Sequence, residues 1–299
     1  MSTIATHNGS FHTDDVFAVA TIQLYLGDTD GTVIRTRHEQ LINEADFVVD
    51  VGEVYDPTRQ RFDHHQSDAP VRENGIPYSA FGMVWQVYGE AVSGSPELAA
   101  WLDRTFVQSI DASDNGRQLF EPTEPGLAPF TLDQVIDTFR PHTGTKSADE
   151  AFLEAVTFAK QLLLNLIEQE KVAAHMRADA EQIYALHDDK TILTTTHPIS
   201  PDAFAHLPDV RVVVKPRTKH EDTDWIARII PFQAGTTKNR AHFPASWAGL
   251  RNAELAAASG ITDAVFCHKQ RYLFVARSEA GAHAAANQAV PADSTTKQT

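Results

Sequence analysis

Short runs of β-branched residues alternate with helically spaced apolar residues along the first third of this chain, and few folds accommodate that alternation. "STIATH" reads as a strand ending at His7. The turn-like "NGSFHT" follows, then "DDVFAVATIQLYL", whose Val16, Phe17, Ala20 and Leu24 share a helical face. "TVIRTR" and "ADFVVDVG" read as two more strands, the latter ending at Asp50. Leu98, Leu102, Phe106 and Ile110 mark a further helix that ends near Asp111. This pattern predicts an α/β domain with a mainly parallel sheet and flanking helices, over residues 1–120.

Residues 121–190 are expected to connect two halves. They open Pro-, Thr- and Gly-rich and continue into a long helical pattern, where Ser147 and Glu150 fit a capping box. From residue 191, "TILTTT", "VRVVVKP", "WIARIIPF", "AVFCHK" and "RYLFVA" read as strands interleaved with the helical "RNAELAAASG". A smaller C-terminal α/β domain over 191–281 follows from this. The Ala-rich, then polar, stretch 282–299 is expected to be disordered. A length of 299 residues suits two domains of about 150 residues each.

No apolar run approaches the ~18 residues of a membrane span, so no membrane partner is expected. The opening "MSTIATH" lacks the basic and apolar regions of a signal peptide, and Cys267 is the only cysteine, so a cytoplasmic location is expected. The net charge of −15 argues against binding duplex nucleic acid by bulk charge. Residues 1–70 carry −8, whereas residues 211–280 carry +5. That asymmetry suits a cation site in one half and an anion-binding half elsewhere, although uneven charge is also ordinary in acidic proteins.

Residues able to bind metals collect at element ends. His7 ends a strand, His12 and Asp14 lie just beyond it, and Asp50 ends another strand. "RFDHHQ" supplies Asp63, His64 and His65, and Asp111 and Asp114 close a helix. In open α/β sheets, ligand sites form outside the carboxyl ends of the strands. Mixed imidazole and carboxylate donors suit Mn²⁺, Fe²⁺, Co²⁺ or Zn²⁺ better than an all-oxygen set would. Adjacent side chains of an extended segment point to opposite sides, so one of His64 and His65 can ligate while the other reaches a substrate. Taken singly, Asp14 reads equally as a helix cap, Asp50 as a turn residue and either early histidine as structural. It is the joint pattern that favours one site. Farther on, Lys215, Arg217, Lys219 and His220 offer a basic patch that also reads as a solvated loop. Arg251 and His268 are candidate phosphate contacts, and Trp247 and Cys267 read as core. There is no P-loop and no GxGxxG.

The ordered motifs "THNGSFHTDDVFAVA", "VVDVG", "VYDP", "RFDHHQ", "IDASDNG" and "FPASWAGLR" resemble the melanocyte-proliferating-gene protein family. That family is a branch of the DHH phosphoesterases, which include RecJ-type exonucleases and family II inorganic pyrophosphatases. The resemblance spans residues 4–280 and implies a two-domain DHH-type fold with substrate captured by the C-terminal lobe across a cleft. It implies two divalent ions, Mn²⁺ first, with Mg²⁺, Co²⁺ or Zn²⁺ as alternatives. His7, His12 and Asp50 would hold one ion. Asp14, His64 and Asp111 would hold the second, with Asp50 bridging and Asp114 supporting from behind. His65 would meet the substrate phosphate and Asp63 would orient its neighbours, making these two the catalytic pair. Lys215, Arg217, Arg251 and His268 would bind substrate. This chain has His12 where the superfamily usually has aspartate, and it lacks a glycine pair after the "FCH" segment. The implied activity is 3′–5′ exonucleolysis of single-stranded RNA or short oligonucleotides. A phosphohydrolase of pyrophosphate or short nucleotides and a non-catalytic, metal-stabilised scaffold are the alternatives. The oligomeric state is left open, a homodimer included.

Overall fold

A computed structural model of the protein describes residues 2–27, 31–141, 144, 146–219 and 222–291. The chain divides into two compact units, Met1–Lys171 and Val172–Thr299.

The first unit is built on a five-stranded sheet. Its strands are β1 (Ser2–Thr6), β2 (Gly31–Arg35), β3 (Phe47–Val49), β4 (Tyr55–Asp56) and β5 (Arg61–Phe62), in the order β2-β1-β3-β5-β4. All pairings are parallel except β4 with β5. The carboxyl ends of β1, β3 and β5 therefore share one edge. Helix α1 (Thr13–Leu26) leaves that edge and is buried around its whole circumference from Thr13 to Ile22. A helix covered on all sides has no polar stripe, which is why its sequence shows only weak periodicity. Gly27 ends it in the left-handed conformation, φ 81°. A short α2 (Glu39–Glu44) precedes β3.

Helix α3 (Ala80–Ser93) packs against α1 and was not anticipated from the sequence. Its aromatic and valine residues and two internal glycines weaken helix propensity, and burial of Phe81, Met83, Val84 and Trp85 overrides that. Helices α4 (Pro96–Leu102) and α5 (Gln108–Asp114) are joined by a π-helical stretch, Asp103–Val107. The helical run thus passes the expected end at Asp111 by one turn. Asn115, whose side chain donates to the Asp111 carbonyl, and Gly116, at φ 74°, then close it. Helix α6 (Leu132–Asp137) forms inside the expected connector, with Thr131 and Gln134 as its capping box.

Helix α7 (Ala148–Leu186) begins at the Ser147/Glu150 capping box read from the sequence. Phe152, Val156, Leu163 and Ile167 enter the first core, and Ala180 and Ile183 enter a core of the second unit. The second unit continues through β6 (Ile192–Thr194), β7 (Val212–Lys219), β8 (Asp222–Ile229), β9 (Ala241–His242), α8 (Asn252–Ser259), β10 (Ala264–Cys267) and β11 (Leu273–Ala276). Its five-stranded sheet, in the order β10-β11-β8-β7-β6, is antiparallel apart from β6 with β7. Trp247 and Cys267 are core residues, as read. The expected disordered tail is corrected over residues 282–291. Helix α9 (Glu279–Ala286) buries Ala282 and Ala285 completely against the sheet, and β12 (Val290–Pro291) pairs with β9. Alanines small enough to sit flush on a sheet account for this order. Residues 292–299 lie outside the described residues.

Candidate metal centre

Three parallel strands end at one edge, and each hands on a ligand-type residue. His7 follows β1, Asp50 follows β3 and the Asp63–His64–His65 triplet follows β5. Helix α1 starts at the same edge with His12 as its N-cap and Asp14 in its first turn. Asp50 sits at φ 54°, a left-handed conformation that aspartate tolerates better than most residues. That conformation turns its carboxylate back across the edge. Its Oδ2 lies 3.2 Å from His7 Nε2 and its Oδ1 lies 3.3 Å from His64 Nε2. Asp50 thus links the two histidines.

Three overlapping groups have donor atoms within 4.8 Å of one another: His7–His12–Asp50, Asp50–His64–His65 and His12–Asp14–Asp114. His64 Nε2 is also 3.3 Å from Asp114 Oδ2 and 3.8 Å from Asp14 Oδ2. The electrostatics fit a missing positive charge. Both carboxylate oxygens of Asp14 are buried without a hydrogen-bond donor, and Asp50 Oδ1 and Asp15 Oδ2 lack a well-aligned one. Burial, then the charges of Asp50, Asp114 and Asp15, push the Asp14 carboxyl well above its ordinary range. Burial opposes protonation of His7, but the adjacent carboxylates of Asp15 and Asp50 outweigh it and carry the imidazole up to about 10. His64 is raised in the same way, against burial, chiefly by Asp50. Buried carboxylates without counter-charge cost several kcal/mol each, on the order given by ion desolvation. Divalent cations relieve that cost, and the N/O donor set suits first-row transition ions.

Asp111, expected among the ligands, stands apart from these three groups. Its Oδ2 is 2.5 Å from the Arg72 guanidinium, and its Oδ1 accepts from Ser79 Oγ at 2.6 Å and from the Gly82 amide at 3.0 Å. These partners turn it away from the cluster, and Asp114, one turn later, enters in its place. A Cβ built on Gly82 would lie 2.0 Å from Asp111 Oδ2. Gly82→Ala is therefore expected to cost about 3 kcal/mol, the upper range for overpacking, as read from the urea unfolding midpoint.

Asp63 stays out of the metal groups and braces its neighbour. It accepts from His65 Nδ1 at 2.7 Å, from the His65 amide at 3.1 Å and from the Glu53 amide at 2.6 Å. Because a carboxylate only accepts, Nδ1 of His65 carries the hydrogen and Nε2 is left available. The His65 side chain is 58% exposed. Asp15 was missed from the sequence. It is fully buried, its Oδ2 is 3.2 Å from His7 Nε2, and its Oδ1 accepts from the His12 amide at 2.9 Å. The signal was present: an acid three residues after the cap position is a capping box. Beside the cluster lies a 360 Å³ pocket bordered by His12, Thr13, Asp114, Asp133, Asp137 and Arg140.

In the second unit, the expected substrate contacts do not form one cluster. Lys215 donates to the Ile199 carbonyl, and burial lowers its pKa. Arg217 lies opposite Asp224 on β8. Arg251 stacks on Phe266, with its guanidinium 4.3 Å from the ring centre. The His268 ring packs 4.3 Å from Tyr272. Two strands separate β7 from β10, which explains the dispersal. Only the backbone of Lys219 is described, and His220 lies outside the described residues.

This is an α/β unit whose parallel strand ends gather imidazoles and carboxylates that could hold a metal ion. The chain belongs to the uncharacterised protein family UPF0160, whose model, MYG1_exonuc, matches residues 3–290. It is 29% identical over 298 residues to the MYG1 protein of Chlamydia trachomatis serovar D, covering 95% of each chain. It is 31% identical over 285 residues to the MYG1 protein of Chlamydia muridarum, covering 91% of each. It is 27% identical over 321 residues to the MYG1 exonuclease of Homo sapiens, covering 93% of this chain and 83% of that one. Among solved structures, the pGpG-specific phosphodiesterase PggH of Vibrio cholerae aligns over 92% of both chains at 12% identity, with a TM-score of 0.33 too low to carry inference.

Proposed function

We propose that this protein is a divalent-metal-dependent phosphodiester hydrolase that acts as a 3′–5′ exonuclease on single-stranded RNA or short oligonucleotides. One observation carries the reading: ligands from β1, β3, β5, α1 and α5 meet at one edge, around an Asp14 carboxylate with no donor. Family membership and the exonuclease names of relatives point the same way. In this reading His7, His12 and Asp50 would hold one ion, and Asp14, His64 and Asp114 would hold the other. Mn²⁺ suits the mixed donors, with Mg²⁺, Co²⁺ and Zn²⁺ as alternatives. When bound, such a pair supplies Lewis acidity at phosphoryl oxygens and lowers the pKa of an attacking water.

The chain's own residues do the rest. Asp63 fixes the His65 ring through Nδ1–H and favours its protonated form, in which Nε2–H can donate a hydrogen bond to a phosphoryl oxygen as charge gathers there. Asp15 holds the His7 ring and the start of α1 in register.

The test is the purified protein with Mn²⁺, end-labelled single-stranded RNA and pyrophosphate assayed side by side. Mononucleotides released from the 3′ end are expected, without phosphate from pyrophosphate. Phosphate from pyrophosphate and no mononucleotide would replace this reading with a small-molecule phosphohydrolase. Metal-dependent melting without any turnover would replace it with a scaffold. Adding Mn²⁺ at about 100 times its Kd to EDTA-treated protein is expected to raise Tm by about 5 °C, because the ions bind only the folded cluster. Thermal melting followed by circular dichroism measures this.

A further inference from the structure

Two acids of the cluster come from different helices. Asp14 stands in the first turn of α1 and Asp114 ends α5. With His12 they bring donor atoms within 4.8 Å of one another. Like charges so close repel. The start of α1 and the end of α5 therefore need a tie that these acids do not supply.

Asp133 of α6 supplies one. Its Oδ1 accepts from Thr13 Oγ1, and its Oδ2 accepts from Ser113 Oγ at 2.5 Å. Thr13 stands between His12 and Asp14 in the chain, and Ser113 immediately precedes Asp114. One carboxylate thus touches a neighbour of every member of the His12–Asp14–Asp114 group. A carboxylate only accepts, so both hydroxyls must point at it and their rotation is fixed. Asp133 itself belongs to none of the three groups of potential ligands. Its own seat is firm. Thr131 and Gln134 cap α6, and Ile136 is fully buried in the first core. An acid in a first helical turn also complements the helix dipole. That role alone needs no contact with hydroxyls of α1 and α5, 120 and 20 residues away in the chain.

The ligands read for the other ion are anchored differently. Asp15 lies 3.2 Å from the His7 ring and accepts from the His12 amide at 2.9 Å. Arg140, just past α6, donates from Nε at 3.0 Å and from Nη2 to the carbonyl of Phe11, the residue before His12. Neither anchor passes through Asp133.

We infer that Asp133 is a positioning residue that sets the spacing of Asp14 and Asp114, and with it the affinity of the ion those two would hold. The inference rests on the two-ion reading above for the identity of the ligands.

Calorimetric titration of Mn²⁺ into the metal-free full chain tests it. Two binding steps are expected for the wild type. Asp133→Ala should weaken one step by at least about tenfold and leave the other within about threefold. Alanine also removes a charge, so the paired variant Thr13→Val/Ser113→Ala is titrated beside it. That variant keeps the carboxylate, removes both donors and should show the same selective loss. Thr13→Ser keeps the hydroxyl and should bind as the wild type does. Ser113 is only half-buried, so Ser113→Ala alone, with a smaller loss of the same step, remains informative if the paired variant fails to fold. Wild-type affinity in the hydroxyl variants would assign any effect of Asp133 to its charge and overturn the inference. A loss shared equally by both steps, with a matching fall in Tm in EDTA, would reduce Asp133 to a structural part and overturn it as well. Hydrolysis of labelled RNA is measured in parallel. Turnover by the wild type with unchanged Mn²⁺ binding in the variants removes the role of Asp133 and spares the enzymatic reading. Selective loss of one ion in a chain that turns over no phosphodiester does the reverse.

Discussion

Asp50→Asn is expected to lower Mn²⁺-supported hydrolysis by about a thousandfold while the protein stays folded. Among the described residues, Asp50 is the one side chain found within 3.5 Å of His7, His64 and His65 alike, so both proposed ions would lose a ligand together. Asparagine is the informative substitution because it keeps the size and tolerates the left-handed backbone. Alanine at φ 54° would add about 1–2 kcal/mol of strain and blur the comparison. Initial rates on labelled RNA, with circular dichroism spectra of the same samples, decide the matter. Full activity of the metal-loaded variant would remove Asp50 from the site.

The second large effect separates two aspartates one helical turn apart. Asp111→Asn should destabilise the protein by about 3 kcal/mol, the low end for breaking a buried ion pair, because the Arg72 guanidinium is left with Asp103 as its remaining carboxylate partner. In a protein of this size that corresponds to a fall in Tm of roughly 10 °C. Asp114→Asn should do the opposite. Its neighbours His64 and Asp14 belong to the cluster, so activity falls, and in EDTA the melting temperature holds or rises as carboxylate repulsion is relieved. A stable but inactive Asp111→Asn, paired with an active Asp114→Asn, would restore the assignment read from the sequence.

That reversal shows what the sequence could and could not carry. The strands ending at His7 and Asp50, the start of α1 and the capping box of α7 were legible because each depends on neighbouring residues only. The choice between Asp111 and Asp114 was not, because it depends on Arg72, Ser79 and Gly82, which lie 29 or more residues away in the chain. Helix α3 was hidden for a related reason, its weak local propensity being overcome by burial against α1. Asp15 was readable as a cap but not as the partner of His7, since that pairing needs β1 and α1 to meet. In the second unit, charge counts found a basic region but not its arrangement, because Arg228 of β8 meets Leu273 of β11 only through strand pairing.

The most direct measurement is the number and coupling of Mn²⁺ ions bound by the chain. Metal-free protein would be titrated with Mn²⁺, the bound metal quantified by mass spectrometry, and the frozen samples examined by electron paramagnetic resonance. Two ions per chain with an exchange-coupled spectrum, reduced to at most one uncoupled ion in Asp50→Asn, is the predicted result. Magnetically isolated ions whose number does not change in Asp50→Asn would contradict it.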